Sequence, residues 1–242
     1  MNVAIILAGG VGMRMNTNGL PKQFLSVMGK PIIIYTLEKF ELCHDIDFSV
    51  VVCHNDWIEH LKNTISKFAL KKEIRIVAGG KDRQESITNG INALDGRVSK
   101  DDIIVIHDSV RPFINNDIIH KNIDAANKYG CAMTVRPVIE TVVVSPDEVV
   151  RFDDFQRRDI TFSLTAPQSF KYGILKDLYT SSYVSDDKTP ILDAAMQYAQ
   201  MGNYVPMVKE ETGYNIKITT PTDFFYFKAV LELEENKNIF GL

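Results

Sequence analysis

Glycines and basic residues recur in this sequence at points where predicted β-strands end. In the first such stretch, residues 7–15, Gly9, Gly10 and Gly12 precede Arg14. Glycines let the backbone approach a phosphate closely and turn its N–H groups toward it. Met15 occupies the place of the third small residue of a dinucleotide fingerprint, and the Gly-Lys-Ser/Thr ending of a phosphate-loop NTPase is absent. By itself the stretch is a weak signal for an anion-binding loop, and it matches neither motif in full.

Three further stretches and one dipeptide carry groups suited to phosphates and hydroxyls. They are Lys22-Gln23 after a Gly19-Leu20-Pro21 turn, residues 79–86, residues 107–113 and residues 215–223. Each alone has an ordinary explanation, such as a solvated cation, a capped helix or a salt-bridged turn. His107 is interpreted as structural because no second His or Cys lies at metal-ligand spacing. Open α/β sheets bind ligands at the carboxyl ends of their strands, so together these stretches predict one electropositive pocket for an anion.

The pattern of elements predicts the α/β class, a mostly parallel sheet with helices on both faces. Short β-branched runs alternate with segments of helical periodicity. The predicted strands span residues 3–7, 48–53, 74–78, 103–106, 132–138 and 204–208, and the predicted helices span residues 31–43, 56–68, 83–94, 116–129 and 221–234.

After Val138 the pattern changes. Residues 141–145, 149–152 and 159–164 are short strand-like pieces with no helix between them. They predict a β-arm at about residues 139–165, projecting from a single domain of residues 1–242. So small an arm buries little surface by itself, which favours packing against a second copy of the chain and a homodimer. An ordinary surface hairpin is the alternative.

Composition limits the class of protein. The chain has 242 residues, of which 45 % are hydrophobic and 24 % charged, with a formal net charge of −4. These values are typical of globular proteins, and the acidic balance argues against a nucleic-acid partner. The three cysteines show no disulfide or metal spacing, which favours a reducing compartment, and we expect the cytoplasm. No apolar run approaches the roughly 18 residues of a membrane span, so no membrane association is expected.

Taken together, the motifs are specific. They comprise Ile6-Leu7-Ala8-Gly9-Gly10-x-Gly12-x-Arg14-Met15, Pro21-Lys22-Gln23, Gly79-Gly80 with Arg83 and Ser86, His107-Asp108 with Arg111-Pro112, Pro167-Gln168, and Asn215-Ile216-Lys217-x-Thr219. In this combination the chain resembles the bacterial CTP-dependent cytidylyltransferases for polyol phosphates. That family has a ribitol-5-phosphate branch and a 2-C-methyl-D-erythritol 4-phosphate branch.

The resemblance implies a Rossmann-like sheet, a β-arm exchanged between two subunits, CTP as co-substrate, and Mg²⁺ held largely by the nucleotide phosphates, with no protein ligand assigned. The residues implied to surround the cytidine and its phosphates are Leu7, Ala8, Gly9, Gly10, Gly12, Gly80, Arg83, Ser86 and Ser109. Those implied to be catalytic are Arg14, Lys22, Lys217 and, from the neighbouring subunit's arm, Arg158. Asp108, Arg111 and Thr141 are implied to face the polyol phosphate.

The choice of branch depends on few positions. Tyr214 precedes Asn215 where the ribitol branch carries an aromatic residue, so D-ribitol 5-phosphate is the preferred substrate and methylerythritol 4-phosphate the alternative. Ala166, with Thr165 before it, replaces a threonine usual in the family. Two other classes stay open from the residues alone. A nicotinamide or flavin oxidoreductase is disfavoured by Met15, and a nucleotide-sensing module would have no use for both Lys22 and Lys217.

Overall fold

The computed structural model describes residues 1–10, 15, 19–180, 193–211 and 214–240, and side chains within these ranges up to residue 236. Seven strands form the central sheet. They are β1 (Asn2–Ala8), β4 (Phe48–Cys53), β5 (Ile74–Ala78), β6 (Ile103–Asp108), β7 (Cys131–Pro137), β8 (Phe162–Lys171) and β9 (Met207–Lys209). Their order is β5-β4-β1-β6-β8-β7-β9. A separate two-stranded hairpin joins β2 (Ser26–Val27) to β3 (Lys30–Pro31).

The sheet is mostly parallel, as predicted. Strands β5, β4, β1 and β6 run parallel to one another, and β9 runs parallel to β7. Strand β8 is antiparallel to both of its neighbours, β6 and β7. The carboxyl ends of β1, β4, β5 and β6 consequently lie along one edge, where the loops after them can share a cleft.

Helices cover both faces of the sheet. They are α1 (Ile32–Leu42), α2 (Ile58–Ile65), α3 (Arg83–Asn92), α4 (Asn116–Tyr129), α5 (Tyr172–Thr180), α6 (Ala194–Gln200) and α7 (Pro221–Phe240). Successive side chains of β1 enter opposite cores, because side chains alternate across a strand. Ala4 and Ile6 pack with α1, α2 and α4, whereas Val3 and Ile5 pack with α3, α5 and α6. Within the described ranges no helix combines the length and apolarity needed to cross a bilayer.

Strand β8 corrects the predicted limits of the arm. The predicted strand 159–164 begins in a 3₁₀ helix, Arg158–Ile160, and its end, from Phe162 onward, belongs to the central sheet. The proline at position 167 hid β8 from sequence reasoning, since proline cannot donate to a strand ladder. The structure accommodates Pro167 at a register shift, where β7 changes from pairing Met133 with Gln168 to pairing Val135 with Leu164.

The remaining arm segment has little regular structure. Between β7 and β8 the chain forms one bridge, from Val143 to Phe155, and a second 3₁₀ helix at Phe152–Asp154. The predicted strand at 149–152 is therefore wrong, and 141–145 is reduced to a bridge. Most apolar side chains of this segment are exposed and find no core in their own chain, so ladder pairing is not stabilised.

Candidate functional site

A cleft of about 470 Å³ opens at the edge where β1, β5 and β6 end. Its floor is formed by the last residues of β1 and the two glycines after them, Leu7, Ala8, Gly9 and Gly10. The loop before α3 and the residues after β6 form two of its walls, and Lys22, Lys217 and Thr219 form another. Parts of the four stretches singled out by sequence therefore meet in one cleft. Three of them adjoin the ends of β1, β5 and β6, as predicted. The fourth does not follow a strand, since Lys217 and Thr219 lie in irregular chain between β9 and α7.

Two glycines of the cleft differ in what surrounds them. A Cβ built on Gly80 would lie 2.2 Å from Cγ of Glu85, so any side chain there would displace the start of α3. A Cβ built on Gly10 would meet no atom of the described residues within 4 Å, and Gly10 lines the open cleft. Gly80 is thus a packing requirement of the loop, whereas Gly10 leaves room for a ligand to approach the backbone.

Ser86 orders the loop that carries Gly80. Its Oγ accepts a hydrogen bond from the Gly80 N–H at 3.1 Å and donates one to the Asp82 carbonyl at 2.7 Å. Asp82 caps α3, since its Oδ1 accepts a hydrogen bond from the Glu85 N–H at 2.8 Å. The amino end of α3 and its partial positive charge are thereby held beside the cleft, where they favour an anion.

A buried carboxylate gathers three cations on the β6 side of the cleft. Asp108 Oδ1 lies 3.0 Å from an Arg83 nitrogen, and Oδ2 lies 3.0 Å from Arg111 Nε and 3.2 Å from Lys217 Nζ. Burial alone would raise the pKa of the Asp108 carboxyl, but Arg83, Lys217 and Arg111 hold it well below its usual range. One negative charge therefore faces three positive ones, and the cluster retains a positive surplus that suits an anionic ligand.

Lys22 reaches the same cleft from a 3₁₀ helix, Lys22–Phe24. Its ammonium donates a hydrogen bond to the Ile218 carbonyl at 2.8 Å. Ile218 directly follows Lys217 in the chain. The hydrogen bond therefore joins Lys22 to the segment that carries Lys217, although the two lysines are far apart in sequence. The prediction that Lys22 and Lys217 share one pocket is confirmed.

Arg111 and His107 lie behind the cleft surface. The Arg111 guanidinium donates to the Asn215 carbonyl at 2.9 Å as well as to Asp108, so it braces the wall rather than lining it. The His107 ring lies 3.1 Å from the Arg111 carbonyl, and burial lowers its pKa to about 4. His107 is therefore a neutral structural residue near pH 7. Across the described ranges, no group of three or more His, Cys, Asp or Glu side chains is placed to hold a metal ion.

Not every predicted site residue is observed in this cleft. Arg111, which was predicted to face the polyol phosphate, lies behind the cleft surface. Gly12 and Arg14 lie outside the described residues. Thr141 and Arg158 are exposed in the arm segment and do not line the cleft of their own chain. Their assignment to a neighbouring subunit's cleft stays a prediction.

Five lining residues were not assigned a site role from sequence. They are Gln23, Lys81, Asp82, Val110 and Thr219. Gln23 and Thr219 belong to the motifs that carried the resemblance, and the others lie within the strand-end stretches. Their position beside predicted site residues was the signal that could have identified them. Lys81 is a cation and could have been selected on that ground, whereas the side chain of Val110 gave no chemical reason for selection.

The Ala166 position is buried and has a structural partner. The Ala166 carbonyl accepts a hydrogen bond from the Asn215 side-chain amide at 2.6 Å. Thr165, the nearest hydroxyl, points back to the Thr134 carbonyl at 3.3 Å and is buried. The hydroxyl of Thr165 is therefore engaged within the sheet and does not replace the one that Ala166 lacks.

Comparison with known proteins places the chain in a family. The family model for 2-C-methyl-D-erythritol 4-phosphate cytidylyltransferase matches residues 2–233. Proteins named ribitol-5-phosphate cytidylyltransferase from Vibrio parahaemolyticus and Streptococcus agalactiae are 41 % and 39 % identical to it over 242 residues, covering all of both chains.

Solved structures agree with this placement. The crystal structure of 4-diphosphocytidyl-2C-methyl-D-erythritol synthase from Anaerococcus prevotii superposes with a TM-score of 0.80 at 26 % identity, covering 96 % of each chain. A Thermus thermophilus cytidylyltransferase shares the fold, with a TM-score of 0.70 at 23 % identity over 95 % of this chain and 98 % of that one. The cleft, the mostly parallel sheet and these matches agree that the chain is a CTP-dependent nucleotidyltransferase of the 2-C-methyl-D-erythritol 4-phosphate cytidylyltransferase family.

Proposed function

We propose that this enzyme transfers CMP from CTP to D-ribitol 5-phosphate, giving CDP-ribitol and pyrophosphate. The observation that carries the proposal is the convergence of Lys22, Lys217 and Arg83 on one cleft beside glycine-rich backbone. In the reaction an oxygen of the ribitol phosphate forms a bond to the α-phosphorus of CTP. The bond from that phosphorus to the bridging oxygen breaks, and pyrophosphate leaves with the electron pair.

Charge is the main obstacle to this reaction. A phosphate monoester has a second pKa near 6, so it is largely a dianion near pH 7 and needs no general base. Bringing it to the triphosphate sets like charges at about 4 Å, which costs about 4 kcal/mol per unit pair at an effective dielectric near 20. Fixed cations and backbone N–H groups offset this repulsion where negative charge develops on phosphorus.

The cluster around Asp108 supplies such cations in a ready position. Asp108 prevents mutual repulsion from driving Arg83, Arg111 and Lys217 apart while no ligand is bound. Lys217 is about two-fifths exposed and faces the cleft, whereas Arg111 is largely buried. We assign Lys217 to the incoming phosphate and Arg83 to the nucleotide, with Arg111 holding Asp108 in place.

The described nucleophilic side chains do not suggest a covalent intermediate. Burial raises the pKa of the Cys53 and Cys131 thiols to about 11, so both are protonated near neutral pH. The Ser86 hydroxyl is engaged with the loop before α3. We propose direct, in-line attack by the polyol phosphate on CTP.

The donor set of the cleft fits Mg²⁺ delivered on the nucleotide. Its two carboxylates are engaged by protein groups, Asp82 as the cap of α3 and Asp108 by three cations. Both therefore already have protein partners, and Mg²⁺ favours carboxylates together with substrate phosphates. A bound Mg²⁺ would neutralise part of the triphosphate charge.

We propose that the arm segment completes a neighbouring subunit's cleft in a homodimer. Apolar side chains there are exposed in the single chain, Phe152 to 90 % and Ile139 to 79 %. A second copy would bury such side chains and could carry Arg158 and Thr141 to the cleft. The location proposed for the enzyme is the cytoplasm, which the three free cysteines support.

Ribitol 5-phosphate is preferred because relatives bearing that name match the whole chain at 39–41 % identity. Methylerythritol 4-phosphate is the second candidate, since the family model and the superposed structures carry its name. The exposed ring of Tyr214 precedes the buried Asn215 near the cleft wall and supports the ribitol assignment.

A pyrophosphate-release assay separates the two substrates. CTP and Mg²⁺ are mixed with ribitol 5-phosphate or with methylerythritol 4-phosphate, at equal concentrations and with the same enzyme. We expect kcat/KM to be higher for ribitol 5-phosphate. The reverse ranking would replace the proposed substrate by methylerythritol 4-phosphate, and turnover with neither would refute both assignments.

A further inference from the structure

Three consecutive side chains of the 3₁₀ helix Lys22–Phe24 contact three different parts of the molecule. The first, Lys22, lies in the cleft and donates a hydrogen bond to the Ile218 carbonyl. The second, Gln23, donates from Nε2 to the Ala8 carbonyl at 2.7 Å. The third, Phe24, stacks on Trp57 with ring centroids 5.4 Å apart. A 3₁₀ helix has three residues per turn, so consecutive side chains point about 120° apart and anchor the turn in three directions.

The contact between Gln23 and Ala8 is sealed from water. Gln23 is 1 % exposed and Ala8 is 2 % exposed. Breaking a buried hydrogen bond costs free energy, because the amide and the carbonyl are then left without a partner. The bond therefore holds the Gln23 side chain firmly. Ala8 is the last residue of β1 and precedes the glycines of the cleft floor. The bond therefore joins the cleft floor to the turn that carries Lys22.

From this geometry we infer that Gln23 is a positioning residue for the cytidylyl transfer. It fixes the distance between the backbone that faces the nucleotide and the Lys22 ammonium. The inference rests on the proposed role of Lys22 at the reacting phosphate. Small misplacements of a catalytic group, of about 1 Å, can cost as much as 10²-fold in rate.

The test replaces Gln23 by methionine, which has a similar length and no donor. We expect kcat to fall roughly 10- to 100-fold while KM for CTP changes by less than about threefold, because Lys22 and not the nucleotide is misplaced. The matched control is Gln197→Met. Gln197 is also buried and donates from Nε2 to a backbone carbonyl, that of Leu178, at 3.1 Å, away from the cleft. The control should keep the wild-type kcat.

A double-mutant cycle shows whether Gln23 acts through Lys22. With Lys22 replaced by alanine, the additional Gln23→Met change should lower kcat by less than about threefold, since the group it positions is gone. The inference would be overturned if the loss of kcat in the double variant equalled the product of the two single losses. A Gln23→Met single variant with the wild-type kcat would overturn it as well. An inactive wild type, by contrast, would refute the proposed function and not the positioning role alone.

Gln23→Glu gives a second measurement if the methionine variant does not fold. A protonated glutamic acid can donate to the Ala8 carbonyl, whereas a carboxylate cannot. The kcat of Gln23→Glu relative to wild type should therefore rise as the pH is lowered from 8 toward 6. A ratio independent of pH would count against the bond having a positioning role.

Discussion

At the scale of single residues, the cleft contains ionisable groups whose charges are set by their surroundings. Asp108 stays ionised because three cations outweigh its burial. His107, the preceding residue, stays neutral because burial outweighs its interactions. Two adjacent buried residues on one strand thus differ in charge near pH 7, because His107 is neutral and Asp108 is ionised. The difference follows from the number of oppositely charged partners that each side chain reaches.

Lys22 is the residue whose loss should affect the reaction most selectively. Lys22→Ala is expected to lower kcat by roughly 10²- to 10³-fold, comparable to the removal of one transition-state donor. Pyrophosphate release measures the rate, and thermal unfolding checks the fold. Lys62→Ala, which removes an exposed lysine of α2 paired with Glu59, is the control and should keep full activity. Turnover retained by Lys22→Ala would remove Lys22 from the mechanism.

His107 should make the protein less stable in mild acid. Its pKa of about 4 in the folded chain lies below the ordinary value of about 6.5, so the unfolded chain binds more protons between these pH values. The free energy of unfolding should therefore fall as the pH drops through this window, by about 3 kcal/mol in total. Urea unfolding from pH 7 to pH 4 measures the slope, which should be flatter in His107→Gln.

His120 provides the control for that experiment. It is exposed, and Asp45 and Asp124 raise its pKa, so its protonation favours the folded chain. His120→Gln should change the slope in the opposite direction to His107→Gln. Identical slopes for wild type and His107→Gln would contradict the assignment of a buried, neutral His107.

At the scale of elements, the start of α3 depends on a glycine in the loop before it. Gly80→Ala would place a Cβ within 2.3 Å of the Glu85 Cβ, which is attached to the helix backbone and cannot rotate away. We expect the free energy of unfolding to fall by about 1–3 kcal/mol, as for other overpacked sites, and KM for CTP to rise. Chemical denaturation and initial-rate kinetics measure the two effects.

Gly10→Ala is the contrast for that variant. Its Cβ meets no atom within 4 Å in the part of the chain that the structure describes, so folding should be nearly unaffected. KM for CTP should still rise because the added methyl group occupies the cleft. If the free energy of unfolding fell equally in both variants, the close contact at Gly80 would not be the cause of the loss, and the expected packing effect would be wrong.

Sequence reasoning succeeded for strands with runs of β-branched residues. The strands β4 and β5 were predicted to the residue because Val and Ile are enriched in strands. Burial was not the common cause, since β4 is buried throughout whereas β5, at the edge of the sheet, is only partly covered. Sequence reasoning failed for β8, which combines two serines, a threonine and a proline. This strand is stabilised by its place between β6 and β7, and that placement depends on residues far away in sequence.

At the scale of the whole molecule, the proposed exchange of arms can be tested by mixing two inactive variants. Lys22→Ala and Arg158→Ala subunits are denatured together in equal amounts and refolded. If Arg158 serves the neighbouring subunit's cleft, each mixed dimer has one cleft with both changes and one intact. Half of the dimers are then mixed, and activity should return to about a quarter of the wild-type value.

Size-exclusion chromatography with light scattering should find a dimer before mixing. The refolded single variants serve as controls and should stay inactive. If the mixture also stays inactive while dimers form, Arg158 does not act across the interface. The exposed Phe152 gives a further check, since Phe152→Asp should favour the monomer.

Family membership decides between the functional classes that the residues left open. A match over residues 2–233 and full-length relatives at about 40 % identity exclude the oxidoreductase and sensing-module alternatives. The glycines after β1 were compatible with all three classes, because each uses backbone N–H groups to approach a phosphate.

The sequence by itself determined the class of fold, the edge of the sheet where the cleft opens, and the meeting of Lys22 with Lys217. These follow from local periodicity and from the rule that loops after parallel strands share one edge. Only the tertiary structure decided that Asp108 binds three cations, that Gln23 anchors the cleft floor, and that β8 completes the sheet. Apart from the Arg111–Asp108 pair, these side-chain contacts join residues 15 to 109 positions apart, and side-chain direction across such separations is set by packing rather than by local pattern.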